Sequence, residues 1–348
     1  MFTRAGSVVA RVANYIRTRL QSMLGPIRRP WYSFAVWLSA CWGRLQAKSQ
    51  FFPVTNARME NMCDAIVASI DRDKVCDFVS RHSNGMACAV LEMNRGSYNI
   101  SIHLGFFGVI PDRLLRIPLR PTVRDSWTKI QSEVATLESV RENTAIPVPR
   151  VWAYGKDAQI LKDPCQAQHY LLCDYMPGQC LTQRTLKQAT SEQRIELFSQ
   201  LIGIYAQLYS LEFPFATSLL PRGQLSSPCF SRLLTMARNE LHLSAGKSLS
   251  KPQILQSTND FIQHQLGVLS GFCRRPLINS TLADERERVF AHHHIQLELD
   301  TIKHCVPSSD GDPFVLTHPD MHYGNIVVNK GLNIVGIIDW EFSGTVPR

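Results

Sequence analysis

The sequence predicts an α+β fold in two lobes, a small β-rich lobe followed by a larger helical one. Three observations favour it. Short apolar and alternating segments, typical of strands, cluster between residues 87 and 173. Patterns with helical spacing dominate after residue 178. Two apolar runs near residue 330 then surround a polar turn, as in a β-hairpin.

Length and composition limit the class of protein. The chain has 348 residues, of which 45% are hydrophobic and 19% charged. This length predicts about two domains and a core that needs no disulfides. The mean hydropathy of −0.10 argues against a multi-span membrane protein. Its ten cysteines include no C-x-x-C pair, so we expect free thiols in a reducing compartment.

The net charge of +8 is confined to the N-terminal segment. Residues 1–58 hold nine of the 37 Lys and Arg residues and no acidic residue. The other 28 basic residues face 29 acidic ones, which argues against a nucleic-acid partner. We expect this basic leader to be either disordered or a mitochondrial transit peptide, so the protein is mitochondrial or cytoplasmic. Any membrane association is expected to go through the leader alone.

The β-rich lobe is predicted over residues 59–176. It opens with a helix over residues 59–81. Its strands are expected at 87–93, 98–104, 113–117, 151–154 and 169–173, the first three as an antiparallel meander. A helix over 126–141, with an apolar stripe that includes Arg141, lies between the third and fourth strands and ends before two prolines. A linker at 174–178 follows.

The helical lobe is predicted over residues 177–348. Its helices are expected at 195–211, 258–272 and 286–305. Serines and prolines interrupt residues 213–252, and their pattern defines no order of elements. The chain stops at residue 348, just past the hairpin, so we expect either that the C-terminal part of this lobe is truncated or that residues 213–313 do its work.

The C-terminal hairpin is expected to gather three polar side chains. In an antiparallel hairpin the start of the first strand lies beside the end of the second. Asn325 and Asp339 occupy these two positions, and Asp320 lies one short loop before Asn325. The sequence therefore predicts two carboxylates and an amide at one place.

This group of three suits phosphoryl transfer, which depends on positioning and on neutralising phosphate charge. Mg²⁺ prefers hard oxygen ligands, and Asp339 with the side-chain oxygen of Asn325 supplies two. Asp320 is expected to orient the acceptor hydroxyl and accept its proton. The Asp-x-x-x-x-Asn spacing equals that of the protein-kinase catalytic loop.

The same segment resembles the aminoglycoside phosphotransferase and choline-kinase superfamily, whose signature is similar to H-G-D-x-x-x-x-N followed by I-D-W/F-E. The matching residues are His318, Asp320, Asn325, Asp339, Trp340 and Glu341. The resemblance implies a protein kinase-like fold and an enzyme that moves the γ-phosphate of ATP, with Mg²⁺, to a hydroxyl of a small molecule. We expect His318 to donate to backbone near the loop, and Trp340 to pack in the core.

A second match lies in the β-rich lobe. The segments SEVAT (132–136) and IPVP (146–149) resemble the fungal branch of that family. The resemblance implies that Glu133 on the helix pairs with Arg116 on the third strand. Arg116 is cationic and is expected to hold the α- and β-phosphates, although its fork seats phosphate differently from a lysine.

The resemblance also assigns the remaining nucleotide contacts. Gly96 and Ser97 would lie in the loop over the phosphates. Asp174 and Met176 would lie in the linker beside the adenine. The acceptor is not identified by the sequence, because the helical lobe, which builds the substrate pocket in this superfamily, matches poorly.

An alternative function is that of a catalytically impaired pseudokinase, serving as a nucleotide-binding or interaction module. Pro319 stands where the signature has glycine. Proline fixes φ near about −65° and removes an N–H, so the loop that carries Asp320 is re-aimed or strained.

Overall fold

The computed structural model describes residues 56–163, 165–222, 229–245, 254–273, 282–305 and 313–348. The predicted leader lies almost entirely outside these residues and stays a prediction. The chain divides into two compact units. One unit comprises residues 53–261 and 308–348, and it holds the sheets and the candidate site. The other comprises residues 1–52 and 262–307.

Within the described residues that precede the first strand, which begin at 56, the chain forms two helices where the sequence predicts one. Helix α1 spans Asn56–Ser69 and α2 spans Arg72–Arg81. Between them, the buried Ile70 forms a β-bridge with Leu161. Asp71 then caps α2 with its carboxylate. The prediction of one helix over 59–81 is wrong because a tertiary strand contact and a new N-cap interrupt it.

A five-stranded antiparallel sheet follows, in the order β1-β2-β3-β5-β4. Its strands are β1 Ala89–Arg95, β2 Asn99–Gly105, β3 Arg113–Pro118, β4 Val151–Ala158 and β5 Gln168–Asp174. The predicted meander is confirmed in β1 to β3. Ile100, Ile102 and Leu104 alternate along β2 and are fully buried against α1 and α2.

Helix α3, Ser126–Asn143, is buried on most of its surface. Ile130 and Val134 pack against Leu171 of β5, as expected for an apolar stripe. Arg141 shares that spacing but is exposed, because the last turn of α3 reaches solvent. The helix therefore lies against the sheet along its first three turns, and it carries polar residues into the interior.

The described segments after residue 174 contain five helices. They are α4 Gln183–Gln188, α5 Ser191–Tyr209, α6 Met236–Ala245, α7 Thr258–Cys273 and α8 Leu282–Cys305. The three predicted helices correspond to α5, α7 and α8. Among the described residues, no helix combines the length and apolar character needed to cross a membrane.

Eight further short strands are present in the part of the chain that the structure describes. They are β6 Gln179–Cys180, β7 Glu212–Phe213, β8 Ser218–Leu220, β9 Cys229–Ser231, β10 Phe314–Thr317, β11 Ile326–Val328, β12 Ile334–Ile337 and β13 Gly344–Pro347. They pair as β12-β11-β6, β13-β10-β7 and β8-β9. The predicted hairpin is confirmed as β11 and β12.

The predicted linker at 174–178 meets the hairpin through a glycine. Gly178 has φ +138°, and a Cβ there would lie 2.7 Å from the Val328 carbonyl oxygen. This close approach allows β6 to pair with β11. The α+β class is confirmed, whereas the lobe boundary between residues 176 and 177 stays a prediction.

Candidate active site

The β11–β12 hairpin places Asn325 and Asp339 at its open end. Ile326 pairs with Ile337, and the Ile338 N–H donates to the Asn325 carbonyl oxygen over 3.0 Å. The residue just before Asp339 is therefore hydrogen-bonded to the backbone of Asn325. This bond brings Asn325 and Asp339 side by side at the open end of the hairpin.

The side-chain amide of Asn325 is oriented by the catalytic-loop candidate Asp320. Asn325 is 7% exposed, and its Nδ2 donates to the Asp320 carbonyl oxygen over 2.9 Å. Because Nδ2 faces the Asp320 carbonyl, Oδ1 of Asn325 points away from that carbonyl. Oδ1 is the acceptor atom of this side-chain amide. The carboxylate of Asp320 is 47% exposed and lies 3.4 Å from His322 Nε2. A carboxylate at this exposure is accessible to a hydroxyl from solvent.

His318 fixes the loop that carries Asp320. Its Nε2 lies 3.0 Å from the Ile338 carbonyl oxygen, and its Nδ1 accepts from the Asp320 N–H over 3.2 Å. A carbonyl accepts and a backbone N–H donates, so the ring is the neutral tautomer with hydrogen on Nε2. Burial lowers the pKa of His318, in agreement with this state. The prediction that His318 donates to backbone is confirmed, and Trp340 is buried as expected.

Asp339 has an unusual backbone conformation. Its φ is +69°, a left-handed value that Asp adopts more readily than most residues. Its carboxylate accepts a hydrogen bond from Nη2 of Arg116. Burial alone would raise the pKa of Asp339, but the charges of Arg116 and Lys129 hold it below its ordinary value. Asp339 is therefore an anion at neutral pH.

The pair of Glu133 and Arg116 is present. Nη1 of Arg116 donates to Glu133, whose side chain is 3% exposed, while Nη2 donates to Asp339. Burial raises the pKa of Glu133, and Arg116 opposes that shift. Burial alone would lower the pKa of Arg116, but the carboxylates of Glu133, Asp339 and Glu341 raise it above its ordinary value. The guanidinium fork bridges two carboxylates that are far apart in the sequence.

Lys129 is a buried cation that the sequence did not predict. It is 1% exposed and donates to Asn99 Oδ1 over 3.0 Å and to Glu341. Asn99 Nδ2 in turn donates to Glu341 Oε2 over 2.6 Å. Lys129 precedes Glu133 by four residues on α3, so both lie on one helix face, and that spacing is the signal that could have identified it. The triad of Lys129, Asn99 and Glu341 ties the start of β2 to the residues after Asp339.

Replacing Lys129 by methionine is expected to destabilise the protein by about 3 kcal/mol, because Glu341 then remains buried with Arg116 as its nearest cation at 3.7 Å. Chemical denaturation followed by circular dichroism measures this change. Lys330→Met removes an exposed lysine of the turn between β11 and β12 and is the matched control, with an expected change below about 0.5 kcal/mol. Equal stability of the two variants would contradict the structural role of Lys129.

The predicted phosphate loop lies at the tip between β1 and β2. Gly96 and Ser97 are both exposed there, and the Gly96 N–H donates to the Asn99 carbonyl oxygen over 2.8 Å. The tip is thus linked through Asn99 to the buried triad. Neither residue contacts Asp320 or Asp339 through a hydrogen bond within the described part of the chain.

The linker residues have structural contacts of their own. The carboxylate of Asp174 accepts from the Arg150 N–H over 3.0 Å and from Trp152 Nε1 over 2.7 Å, so it is held against the start of β4. Met176 packs on Gly336, where an added Cβ would lie 3.0 Å from its terminal methyl. Met176 therefore lies against the hairpin. The Asp174 carboxylate is instead hydrogen-bonded to the Arg150 backbone and to the Trp152 indole.

The antiparallel sheet, the buried pair of an acid and a base, and the hairpin that carries an amide and an acid agree with the protein kinase-like fold that the sequence resemblance implies. The family model described as "phosphotransferase enzyme family" matches residues 109–348. The chain belongs to this family.

Several known proteins are similar to this chain. It is 25% identical over 283 residues to a subtelomeric hrmA-associated cluster protein of Aspergillus fumigatus, covering 68% of this chain and 54% of that one. It is 23% identical over 242 residues to clavilactone A biosynthesis cluster protein Y of Ampulloclitocybe clavipes, covering 65% and 52%. The chain thus spans about half the length of these curated relatives.

Solved structures with a similar fold include the ADP-bound aminoglycoside phosphotransferase APH(2'')-Ib. It is 10% identical, with a TM-score of 0.46 and coverage of 80% of this chain and 73% of that one. The ethanolamine kinase of Plasmodium vivax is 14% identical, with a TM-score of 0.39 and coverage of 97% and 69%.

Proposed function

We propose that the chain is an ATP- and Mg²⁺-dependent phosphotransferase that moves the γ-phosphate to a hydroxyl of a small molecule. One observation carries the proposal. The Asn325 backbone is hydrogen-bonded beside Asp339, while its side chain is hydrogen-bonded to Asp320. An oriented amide, an ionised acid and an accessible acid are thereby grouped as phosphoryl transfer requires.

The donor set fits Mg²⁺. Asn325 Oδ1 is a neutral hard oxygen, and Asp339 supplies an anionic one whose lowered pKa keeps it ionised. When bound, Mg²⁺ would neutralise charge on the β- and γ-phosphates. Asp339 would exchange its hydrogen bond from Arg116 for the metal.

Arg116 would supply the second positive charge. Its Nη1 bond to Glu133 holds the guanidinium in place, and the release of Asp339 frees Nη2 for a phosphate oxygen. The guanidinium would then bind Glu133 through Nη1 and a nucleotide phosphate through Nη2. This is the role that the family resemblance implies for a cation on the third strand.

Asp320 would act as the base. The acceptor O–H gives its proton to the Asp320 carboxylate, the acceptor oxygen bonds to the γ-phosphorus, and the bond to the β-phosphate oxygen breaks to release ADP. His318 accepts a hydrogen bond from the Asp320 backbone N–H, and this bond would keep the Asp320 carboxylate within hydrogen-bond distance of the acceptor hydroxyl. The partial exposure of Asp320 leaves room for a small acceptor.

The direct experiment is phosphate transfer from Mg-ATP by the full chain to a panel of hydroxylated small molecules. Asn325→Ala is expected to raise the Mg²⁺ concentration for half-maximal rate by about tenfold or more, because one of two protein ligands is lost. Asn333→Ala, an exposed asparagine at the other end of the hairpin, should leave it unchanged. Nucleotide binding with no transfer to any acceptor would contradict the proposal and favour a pseudokinase.

A further inference from the structure

The segment from Asp339 to Phe342 has an uncommon backbone conformation. Asp339 has φ +69° and Phe342 has φ +59°, so the segment begins and ends on a left-handed residue that is not glycine. A left-handed φ is rare for a bulky residue such as phenylalanine, because it brings steric strain. Such a conformation persists only where the surrounding structure holds it. The orientation of the metal-ligand candidate Asp339 therefore depends on contacts that other segments make with this one.

Residues 98 and 99 supply two of these contacts, at the point where the predicted phosphate loop enters β2. Asn99 Nδ2 donates to Glu341 Oε2 over 2.6 Å. The ring of Tyr98 meets that of Phe342 edge to face, with the centroids 5.1 Å apart and an angle of 68° between the planes. Two adjacent residues after the phosphate loop thus hold two adjacent residues of the strained segment.

The orientation of Asn99 is fixed by its other contacts. Its Oδ1 accepts from the buried Lys129, and an ammonium group can only donate, so the amide must direct Nδ2 toward the Glu341 carboxylate. The backbone carbonyl of Asn99 accepts from the Gly96 N–H over 2.8 Å, which closes the turn of the phosphate loop. A movement of the loop therefore moves residue 99, and with it the contact to Glu341.

We infer that Tyr98 and Asn99 are positioning residues that hold Asp339 in its metal-binding conformation and so couple the phosphate loop to the metal site. The inference rests on the proposed function, since it concerns the same nucleotide and the same cation. Nucleotide phosphates at the loop and a cation at Asp339 would both stabilise the arrangement in which residues 98 and 99 contact residues 341 and 342. Each ligand therefore favours the binding of the other, and the coupling is reciprocal.

Calorimetric titration of the full chain with ADP, with and without Mg²⁺, measures this coupling as the ratio of the two affinities. In the wild type we expect Mg²⁺ to tighten ADP binding by about tenfold or more. Tyr98→Ala removes the ring that meets Phe342, and the ratio should fall to about threefold or less. Tyr98→Phe is the matched control. It loses the hydroxyl bond to Glu240 but keeps the ring, so the ratio should stay within about twofold of the wild type.

Asn99→Ala is a second variant in which the buried Glu341 carboxylate keeps Lys129 as its cation. Its ratio should also fall to about threefold or less. A purely structural role of residues 98 and 99 would weaken ADP binding equally with and without Mg²⁺, and the ratio would then be unchanged.

Hydrogen exchange of the nucleotide-free chain gives an independent readout. The Ser343 N–H donates to the Trp340 carbonyl oxygen over 3.3 Å, within the turn that contains the strained segment. This amide should exchange faster in Tyr98→Ala than in Tyr98→Phe, because only the first variant removes a contact that holds the turn. Equal exchange in the two variants would contradict the positioning role of Tyr98.

Two results of the titrations would overturn the inference. One is an affinity ratio that neither Tyr98→Ala nor Asn99→Ala changes, and the other is a wild type whose ADP binding is absent or indifferent to Mg²⁺. The proposed function is judged separately, by the transfer assay. A wild type that transfers phosphate while both variants keep its ratio refutes the positioning role alone. A wild type that shows the coupling but transfers phosphate to no acceptor refutes the proposed function and supports the positioning role.

Discussion

Asp320→Asn is expected to lower the rate of phosphate transfer by about 10²- to 10⁴-fold, the usual contribution of a general base. The amide keeps the shape of the side chain but cannot accept the proton at neutral pH. The two loop contacts of Asp320 use its backbone carbonyl and its backbone N–H, so the substitution leaves both in place. Stopped-time measurement of ADP release with a working acceptor gives the rate.

The same variant should otherwise behave like the wild type. Its free energy of unfolding should change by less than about 0.5 kcal/mol, because the carboxylate is about half exposed. Affinity for Mg-ATP should also be preserved. Asp64→Asn, an exposed carboxylate that pairs with Arg95, is the control for loss of one negative charge. Transfer by Asp320→Asn within threefold of the control would exclude Asp320 as the base.

The hairpin part of the site was predictable because its contacts are local. Asn325 bonds to a carbonyl only five residues earlier, and β11 and β12 are joined by a short polar turn. Period-two apolar runs and turn residues encode such a structure directly. The left-handed φ of Asp339 is not encoded in this way, since nothing in the surrounding pattern marks it.

The rest of the site depends on contacts between distant segments. Arg116 and Asp339 are 223 residues apart, and the partners of Lys129 come from β2 and from the segment after Asp339. The pair of Glu133 and Arg116 was expected only through the family resemblance. An isolated lysine on α3 is normally interpreted as a solvent-facing residue, and only the packed fold shows that it is buried.

The segment that carries β8, β9 and α6 lay in the region that the sequence could not order. Strands β8 and β9 have three residues each, too few for an alternating pattern to identify. Arg232 follows β9, and Arg238 lies on the short helix α6. Their proximity to Arg124 results from packing across more than a hundred residues, which local propensity does not report.

The largest loss of stability is expected from Arg116→Ala. This variant leaves Glu133 and Asp339 without their shared cation in a largely buried setting, and removing one partner from such a pair costs about 3–5 kcal/mol. Arg222→Ala breaks a half-exposed pair with Glu142, for which we expect less than about 1 kcal/mol. Guanidinium denaturation of both variants measures the difference in the free energy of unfolding.

A double variant tests the cause of that loss. In Arg116→Ala with Glu133→Gln the most buried unpaired carboxylate is replaced by a neutral amide, so part of the stability should return and the two substitutions should be non-additive by about 1 kcal/mol or more. Simple loss of packing around Arg116 predicts additive effects instead, because the glutamine fills the same volume as the glutamate. If the double variant is less stable than Arg116→Ala, orphaned charge does not explain the loss, and the bridging role of Arg116 has to be abandoned.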